Sequence, residues 1–527
     1  RRGTMDGKSH LKSWVVLAAF LLVITATATG EVIYVDADAN GLNDGSSWEN
    51  AYNELSVALA DANFSPKPVE ILVAQGIYKP DQGVGITPDD RTATFQLING
   101  VSLQGGYAGV GEADPNARDI ELYETILSGD LAGNDVFVSD LSLVYTDPCR
   151  SENSFHVVTG SETDKTAFLD GFTICGGNTK DSTEFYGGGI YNYEGDPTIT
   201  NCTFSANSYG AMFNYRSTSI LISCRFIRNA DGGIRNNESD STIENCVFLE
   251  NGGNGIYNKD SNPKVTNCIF IGNRGIYGGG MWNDGGNPIV SGCLFTGNRV
   301  SRYGGAILNE GWLRISNCAF IGNSADLGGG ILNRNDLRIS NCTFVGNRGG
   351  GICNEGFTQT SNCIFWGNTP YQLLANIPEL LIATYSNVQD GWPGEGNMDI
   401  DPCFVEQGYW DDPCNTPYQD WDDIWIDGDY HLKSQTGRWE PLTKMWIQDD
   451  VTSPCIDAGD PMSPIGLETF PNGGIINMGA YGGTAEASKS YFGEPVCEII
   501  VAGDVNGDCR VNFLDFQIMA LHWLEER

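Results

Sequence analysis

The segment 503–516, which reads GDVNGDCRVNFLDF, carries oxygen-bearing side chains at regular spacing. Such alternation lets three side chains converge on one hard cation, and the later positions fit the ninth and twelfth places of a twelve-residue calcium loop. The pattern therefore predicts a Ca²⁺ site, the alternative being a plain acidic turn. The predicted ligands are Asp504, Asn506, Asp508, the backbone carbonyl of Arg510, Asn512 and Asp515.

A second set of candidate residues recurs between an apolar residue and an Asn, in a segment predicted below to be a short strand. Alternation along the strand points these residues outward. Large aromatic side chains on a surface are costly unless they are covered or used. At the spacing of neighbouring strands, such rings would suit the faces of sugar rings. The alternatives are that a loop covers them, or that they stack only for stability. The predicted polysaccharide-binding residues are Tyr191, Phe213, Arg235, Tyr257 and Trp282.

No catalytic residue can be assigned from the sequence. A glycoside hydrolase needs two carboxylates across the scissile bond, and Asp231, Asp284 and Glu310 lie near the aromatic positions without a fixed spacing. Arg235 is the nearest candidate for the basic residue of a polysaccharide lyase. If the protein is an enzyme, we expect one of these two classes.

These residues belong to a repeat with the pattern Cys-x-Phe-x-x-Asn. Successive Cys are 22, 22, 22, 25, 25, 24 and 21 residues apart, a period typical of solenoids. Gly, Asn and β-branched residues dominate the repeat, which disfavours helices. The repeated Cys are Cys202, Cys224, Cys246, Cys268, Cys293, Cys318, Cys342 and Cys363.

Within one repeat, Cys202 and Phe204 share a face, but Ile199 has the wrong parity for the same flat strand. A bend at Asn201 restores the pattern, because Asn tolerates a positive φ. Three short strands and three bends per repeat predict a parallel β-helix, with identical side chains stacked in the interior. A β-sandwich is the alternative.

The Cys column fits a buried apolar role better than a metal or disulfide role, because stacked copies point in parallel. The closer pairs Cys403 with Cys414, and Cys497 with Cys509, could oxidise in an exported chain.

The net charge of −37 argues against binding to nucleic acid or to an anionic membrane surface. Residues 1–30 contain a basic start, the apolar run WVVLAAFLLVITATA and a small-residue cleavage site. They predict a signal peptide, with a retained N-terminal anchor as the alternative. The protein is therefore expected to be secreted or at the cell surface of a bacterium.

Ser46 and Ser47 precede apolar residues at helical spacing, so a helix over 48–62 is predicted to cap the open end of the solenoid.

From residue 32 to about 488, the chain resembles the pectate-lyase-like right-handed β-helix superfamily. Its Phe295–Asn298 and Gly304–Ile307 segments resemble repeats of chlamydial polymorphic outer-membrane proteins, and GDVNGDCRVNFLDF resembles a type I dockerin repeat. Two departures stand out: dockerins carry two repeats, and Cys509 replaces the usual Gly. The resemblance implies an all-β protein, a right-handed parallel β-helix with an N-terminal helical cap and a C-terminal calcium module.

The resemblance further implies a protein that binds or degrades polysaccharide and is tethered to a cohesin-type or cell-surface partner. A non-enzymatic adhesin or envelope structural protein is the alternative. The predicted divisions are residues 1–30 (signal peptide), 31–160 (cap and irregular coils), 161–370 (regular repeats), 371–488 (C-terminal coils and cap) and 489–527 (linker and dockerin-like module).

Overall fold

The computed structural model describes residues 30–136, 138–141, 144, 147–180, 182, 186–411, 423–490, 511 and 513–522. They fall into two compact units. We call residues 30–314 with 323–336 the N-terminal unit, and residues 315–322 with the described residues from 337 onward the C-terminal unit. The predicted signal peptide lies outside the described residues, apart from Gly30.

A left-handed backbone at one position of each repeat bends the chain as predicted. The φ angles are 51° at Asn201, 55° at Asn245 and 53° at Asn267. The two repeats without Asn bend in the same place, with φ of 55° at Ser223 and 64° at Gly292. The bend turns the first strand of each coil into the second, so that both point apolar side chains inward.

Three ladders of parallel strands build the N-terminal unit. The first ladder contains Glu31–Val35, Val69–Ala74, Val101–Tyr107, Phe168–Asp170, Thr198–Thr200, Ile220–Ile222, Thr242–Glu244, Lys264–Thr266 and Ile289–Ser291. The second contains Gly76–Tyr78, Thr125–Ser128, Thr173–Cys175, Thr203–Ser205, Arg225–Ile227, Val247–Leu249, Ile269–Ile271 and Leu294–Thr296. The third contains Phe95–Gln96, Val158–Thr159, Ile190–Tyr193, Met212–Tyr215, Gly232–Asn237, Asn254–Lys259, Met281–Asp284, Ile307–Asn309 and Ile331–Asn333.

The Phe of each repeat stacks on its copy in the next coil. Phe248 lies opposite Phe270 in the ladder, and Phe270 opposite Phe295. Their ring centroids are 4.7 and 4.4 Å apart, with the planes within 4° of parallel. All three are fully buried, which confirms the predicted interior column.

Two columns of buried Asn join the coils. The Nδ2 of Asn229 donates to the Oδ1 of Asn251 at 3.1 Å, and Asn251 donates to Asn273 at 2.9 Å. In the third ladder, Asn214 donates in the same way to Asn236 at 2.9 Å. Because buried amides must be hydrogen-bonded, the copy in the next coil satisfies each one.

The repeated Cys are also buried and are free thiols. The Sγ of Cys268 lies 3.3 Å from the carbonyl of Thr266 within its own coil. Burial raises the pKa of Cys202 to about 12, which leaves that thiol protonated and unreactive. Cys414, Cys497 and Cys509 lie outside the described residues, so both oxidisable pairs stay predictions.

Longer repeats carry an extra segment before the third strand. Arg274–Tyr277 and Arg299–Tyr303 occupy this position in two successive coils and pair in parallel. Bridges from Arg299 to Ser324 and from Tyr303 to Leu327 continue the pairing. This small ladder, which we call the outer ladder, lies beside the third ladder.

The C-terminal unit contains parallel ladders and antiparallel hairpins. Its parallel strands are Ala319–Ile321, Thr343–Val345, Ile352–Asn354, Phe357–Ser361, Ile364–Trp366, Leu373–Ala375, Leu381–Thr384 and Asn387–Val388. Two further strands, Trp312–Ser316 and Asp336–Ser340, lie at the division between the units. The antiparallel pairs are Phe404–Glu406 with Asp429–Leu432, Tyr409–Asp411 with Ile424–Ile426, and Arg438–Glu440 with Met445–Ile447. Short 3₁₀ helices span Pro148–Arg150 in the N-terminal unit and Pro378–Leu380 in the C-terminal unit.

Among the described residues, the α-helix nearest the N-terminus, α1, spans Leu55–Phe64, so the predicted start at residue 48 is wrong. A residue before α1 is hydrogen-bonded to the first strand instead. The amide of Tyr52 donates to the carbonyl of Tyr34, and the amide of Asp36 donates to the carbonyl of Tyr52. That α1 caps the solenoid stays a prediction. The second helix, α2, spans Phe513–His522. Among the described residues, no helix combines the length and apolarity needed to cross a membrane.

Candidate functional site

The five predicted binding residues occupy equivalent positions in successive coils of the third ladder. Tyr191 is in register with Phe213, and Arg235 is in register with Tyr257. The residues on either side of Tyr191 are fully buried in the interior, whereas Tyr191 is partly exposed. We call Tyr191, Phe213, Arg235, Tyr257 and Trp282 the aromatic strip.

The strip is more covered than the sequence suggested. Phe213 and Tyr257 are each 9% exposed, and Leu308 further along the same column is 1% exposed. Tyr186, which precedes the third ladder, stacks on Phe213 with the centroids 5.6 Å apart. Tyr191 stacks on the same ring at 5.6 Å. The rings therefore pack against each other and against an added layer, in the direction of the alternatives named above, and polysaccharide contact at these residues stays a prediction.

Arg235 lies between two tyrosine rings. Its guanidinium carbon is 4.1 Å from the ring centroid of Tyr186 and 4.2 Å from that of Tyr257. Such cation–π contacts hold a guanidinium without neutralising it. Within the part of the chain that the structure describes, Arg235 forms no ion pair, and its guanidinium contacts the two rings instead.

Trp282 is fixed at the other end of the strip. Its ring meets Tyr257 edge-on at 4.9 Å and the outer-ladder residue Tyr277 at 5.3 Å. Its indole Nε1 donates to the Oε2 of Glu310 at 3.0 Å. Arg334 donates to the other oxygen of Glu310 at 2.8 Å, so both partners orient this carboxylate.

Outer-ladder tyrosines extend the aromatic surface. Tyr277 stacks on Tyr303 with the centroids 5.8 Å apart, and Arg302 donates to the hydroxyl of Tyr277 at 3.0 Å. Arg334 lies over the ring of Tyr303 at 4.8 Å. The result is a partly exposed surface that alternates aromatic edges with guanidinium and carboxylate groups.

Asp284 anchors Tyr257 to the strip. The Tyr257 hydroxyl donates to the Oδ2 of Asp284 at 2.9 Å. Burial, followed by the neighbouring carboxylate of Asp284, raises the pKa of Tyr257. The phenol therefore stays protonated and acts as a hydrogen-bond donor at neutral pH.

The three carboxylates considered for catalysis have different surroundings in the structure. Asp284 and Glu310 follow Asn283 and Asn309, which are paired in register, so the structure brings both to the strip. Each is engaged in positioning an aromatic ring. Asp231 is exposed at the start of its coil. The guanidinium of Arg235 offers hydrogen-bond donors and no acceptor, so it suits binding better than proton abstraction.

The predicted calcium loop lies outside the described residues. Asp504, Asn506, Asp508, Arg510 and Asn512 belong to the undescribed part, as does the side chain of Asp515. The backbone of Asp515 lies in the helix α2, Phe513–His522. Calcium binding there stays a prediction.

Sequence reasoning missed the covering residues Tyr186, Tyr277 and Tyr303. The signal for the last two was present, since the Cys spacing rises from 22 to 25 where the outer ladder is inserted. Tyr186 precedes Cys202, the first repeated Cys, so no change in Cys spacing indicates its position.

Comparison with known families identifies the fold of the repeats. The family model described as a right handed beta helix region matches residues 167–287 and 276–376. Residues 167–376, which form parallel ladders in the structure, are therefore similar to right-handed β-helix regions. A second family model, disaggregatase related, matches residues 417–459. No curated protein matches the chain.

Solved structures with related folds include pectate lyase Pel9A, with 13% identity and a TM-score of 0.40 over 86% of this chain and 96% of that chain. A rhamnogalacturonan lyase has 10% identity and a TM-score of 0.32, covering 71% and 91% of the two chains. The A-module of the Azotobacter vinelandii mannuronan C-5 epimerase AlgE4 has 16% identity and a TM-score of 0.27, covering 65% and 97%. Similarity at this level carries no activity over to this chain.

Proposed function

We propose that the protein binds polysaccharide along the aromatic strip. The observation that carries this proposal is Arg235, whose guanidinium is held between Tyr186 and Tyr257 without a carboxylate partner among the described residues. An oriented cation beside phenol and indole groups matches what a sugar chain requires, namely apolar contact with ring edges and hydrogen bonds to hydroxyl or carboxylate oxygens.

The spacing of the strip supports an extended ligand. Equivalent residues in adjacent coils are about 4.8 Å apart, so Arg235 and Trp282 span two steps along the ladder. A chain of sugar rings can follow this direction and meet Glu310 and Arg334 beyond Trp282. Binding rather than cleavage is proposed, because the carboxylates here position aromatic rings.

Export and attachment complete the proposal. The apolar N-terminal run and its small-residue cleavage site favour export. The alternating oxygens of the C-terminal loop favour a calcium-stabilised module that tethers the protein to a cohesin-type or cell-surface partner.

A panel of plant and algal polysaccharides in affinity gel electrophoresis tests the binding. The double variant Arg235→Gln with Trp282→Ala removes the cation and the indole. Phe64→Ala is the control, because Phe64 is 88% exposed at the end of α1 and belongs to no repeat of the third ladder. We expect the double variant to lose retardation that the Phe64 variant keeps. If the parent binds a polysaccharide and the double variant binds it equally well, the strip is not the binding site.

A structural role on the cell surface is the second candidate. It is favoured by the packing of the ring faces against one another, as in the stacks of Phe213 with Tyr186 and Tyr191. A parent protein that binds nothing on the panel and releases no reducing or unsaturated ends would support this role.

A further inference from the structure

Two tyrosines form an exposed stack of rings beside the aromatic strip. Tyr193 and Tyr215 lie two residues beyond Tyr191 and Phe213 on the same third-ladder strands, so alternation directs all four side chains to the outer face. The rings of Tyr193 and Tyr215 are in register, with centroids 5.1 Å apart and planes 20° from parallel. Tyr193 is still 40% exposed, because the stack ends at its ring.

A small residue, Ser161, occupies the equivalent position in the preceding coil. The register that pairs Tyr191 with Thr159 places Ser161 opposite Tyr193, and the amide of Glu162 continues the pairing by donating to the carbonyl of Tyr193 at 3.1 Å. The Oγ of Ser161 accepts from the amide of Tyr193 at 3.1 Å. The Ser161 side chain therefore lies against the backbone and leaves the second face of the Tyr193 ring uncovered.

An apolar residue bounds the space above Ser161 on its other side. The amide of Leu97 donates to the carbonyl of Thr159, so the next residue, Ile98, lies beside Ser161 one coil further back. Leu97 is buried and Ile98 is partly exposed, which continues the alternation of the strand. Ile98 and Tyr193 are thus two coil steps apart, about 10 Å, which leaves room for one sugar ring between their side chains. We call the space formed by Ile98, Ser161 and Tyr193 the Tyr193 slot.

Carboxylates border the Tyr193 slot. Glu162 and Glu194 directly follow the slot residues of their coils, in left-handed bends with φ of 59° and 50°. Arg216, at the equivalent bend of the next coil, is shared between Glu194 at 3.5 Å and Glu238 at 2.9 Å. The cation closest to these bends is therefore already paired with two carboxylates.

Lysines of the adjoining segments do not reverse this charge. Lys165 follows the carboxylate of Asp164 in the chain, and the Nζ of Lys67 donates to the carbonyl of Ala62. Carboxylates outnumber cations around the slot, so an anionic ligand meets like charge there, whereas hydroxyl groups find acceptors.

We propose that the Tyr193 slot binds one uncharged sugar residue, so that the polysaccharide of the proposed function is neutral where it crosses Tyr193. The proposal rests on that function, because it adds a position beside the strip. The C–H groups of a sugar ring are slightly positive and pack on the negative face of an aromatic ring. The hydroxyl groups of the sugar can donate to Glu162 and Glu194, which would repel the carboxylate of a uronate.

The test is affinity gel electrophoresis of the full chain in neutral polysaccharides (arabinoxylan, galactomannan and laminarin) and in acidic ones (polygalacturonate and alginate). Tyr193→Ala removes the ring face, whereas Tyr193→Phe keeps the face and removes only the hydroxyl. Tyr409→Ala is the matched control, because Tyr409 is 58% exposed on an antiparallel hairpin. The double variant Arg235→Gln with Trp282→Ala reports on the strip separately.

We expect at least one neutral polysaccharide to retard the parent. Tyr193→Ala should weaken the affinity by about three- to tenfold, the loss expected for one stacked ring. Tyr193→Phe should stay within about twofold of the parent, because the ring face carries the contact. Tyr409→Ala should bind as the parent does.

Parental affinity in Tyr193→Ala would overturn the proposal, and loss of retardation in the strip double variant would then leave the proposed function standing without the slot. An equal loss in Tyr193→Phe and Tyr193→Ala would overturn the contact with the ring face. Retardation by the acidic polysaccharides alone would overturn the neutral ligand while leaving binding along the strip intact. A parent that binds none of the five would overturn both this proposal and the proposed function.

Discussion

The indole Nε1 of Trp282 donates a hydrogen bond of 3.0 Å to Glu310, one coil further along the third ladder. Glu310 in turn accepts from Arg334 at 2.8 Å. One carboxylate therefore sets the orientation of an aromatic ring and of a cation at the proposed binding surface.

Replacement of Glu310 by Ala should weaken polysaccharide binding and lower stability modestly. The indole N–H and the guanidinium each lose an acceptor, and because the Glu310 side chain is 28% exposed, water compensates part of the loss. We expect the free energy of unfolding to fall by roughly 1 kcal/mol, and the affinity for any polysaccharide retained by the parent to fall several-fold. Glu310→Gln keeps one acceptor and should have the smaller effect on Trp282. Equal affinity of the Ala variant and the parent would show that the orientation of Trp282 is irrelevant to binding.

Replacement of Asn251 by Ala should be among the most damaging single substitutions. Asn251 donates to the carbonyl of Phe226 and to Asn273, both at 2.9 Å, and accepts from the backbone amide of Asn229 at 3.0 Å. The change leaves buried polar groups of both neighbouring coils unsatisfied, at a cost of roughly 2–4 kcal/mol in the free energy of unfolding. Denaturant titration measures it.

Asn262→Ala is the matched control for this prediction. Asn262 is exposed and bonds to Asp240 in the neighbouring coil. Its loss should cost less than about 0.5 kcal/mol. Comparable losses in the two variants would contradict the structural role assigned to the buried Asn columns.

Stability of the C-terminal unit should fall as the pH rises through the titration of Glu468. Burial raises the pKa of this carboxyl from 4.5 to about 7, although it accepts the amides of Asn477 and Gly483 at 2.8 Å. The folded state holds a proton that the unfolded chain has released between these two values, so unfolding becomes easier as pH increases across that window. Glu468→Gln removes this titration.

At pH 8 the Gln variant should be more stable than the parent by roughly 2 kcal/mol, and at pH 4 the two should agree closely. Urea unfolding at pH 4, 6 and 8 measures the difference. Glu379→Gln, at an exposed position, is the control and should leave the pH profile unaltered. A parent whose stability rises between pH 5 and 7 to the same extent as that of the Glu468 variant would refute the assignment.

The repeat geometry was predictable because it depends on local parity and local backbone preference. The clash in parity between Ile199 and Cys202 required a bend at Asn201, and the φ of 51° there confirms it. The same reasoning predicted that Phe248 and Phe270 lie in one interior column, because equivalent residues of successive coils stack in a solenoid.

The covering of the strip was not predictable, because it depends on an irregular segment. Tyr186 stacks on Phe213 from a position before Cys202, the first repeated Cys, and no Cys spacing indicates that contact. The start of α1 was misjudged because tertiary pairing of Tyr52 with the first strand outweighed the helical pattern.

The columns of buried amides constrain how the gene can change in length. Removal of the block from Cys224 to Asn245 would bring Asn207 opposite Asn251, which offers the same bonding partner as Asn229 does now. Removal of a few residues between a bend and the Asn that follows it would instead leave a buried amide without a partner. Changes in length should therefore be tolerated as whole coils, or in the segment before the third strand, where coils of 22 and 25 residues already keep the Asn column continuous. Duplication of a coil is then an easier evolutionary route than loss of residues within the Asn columns.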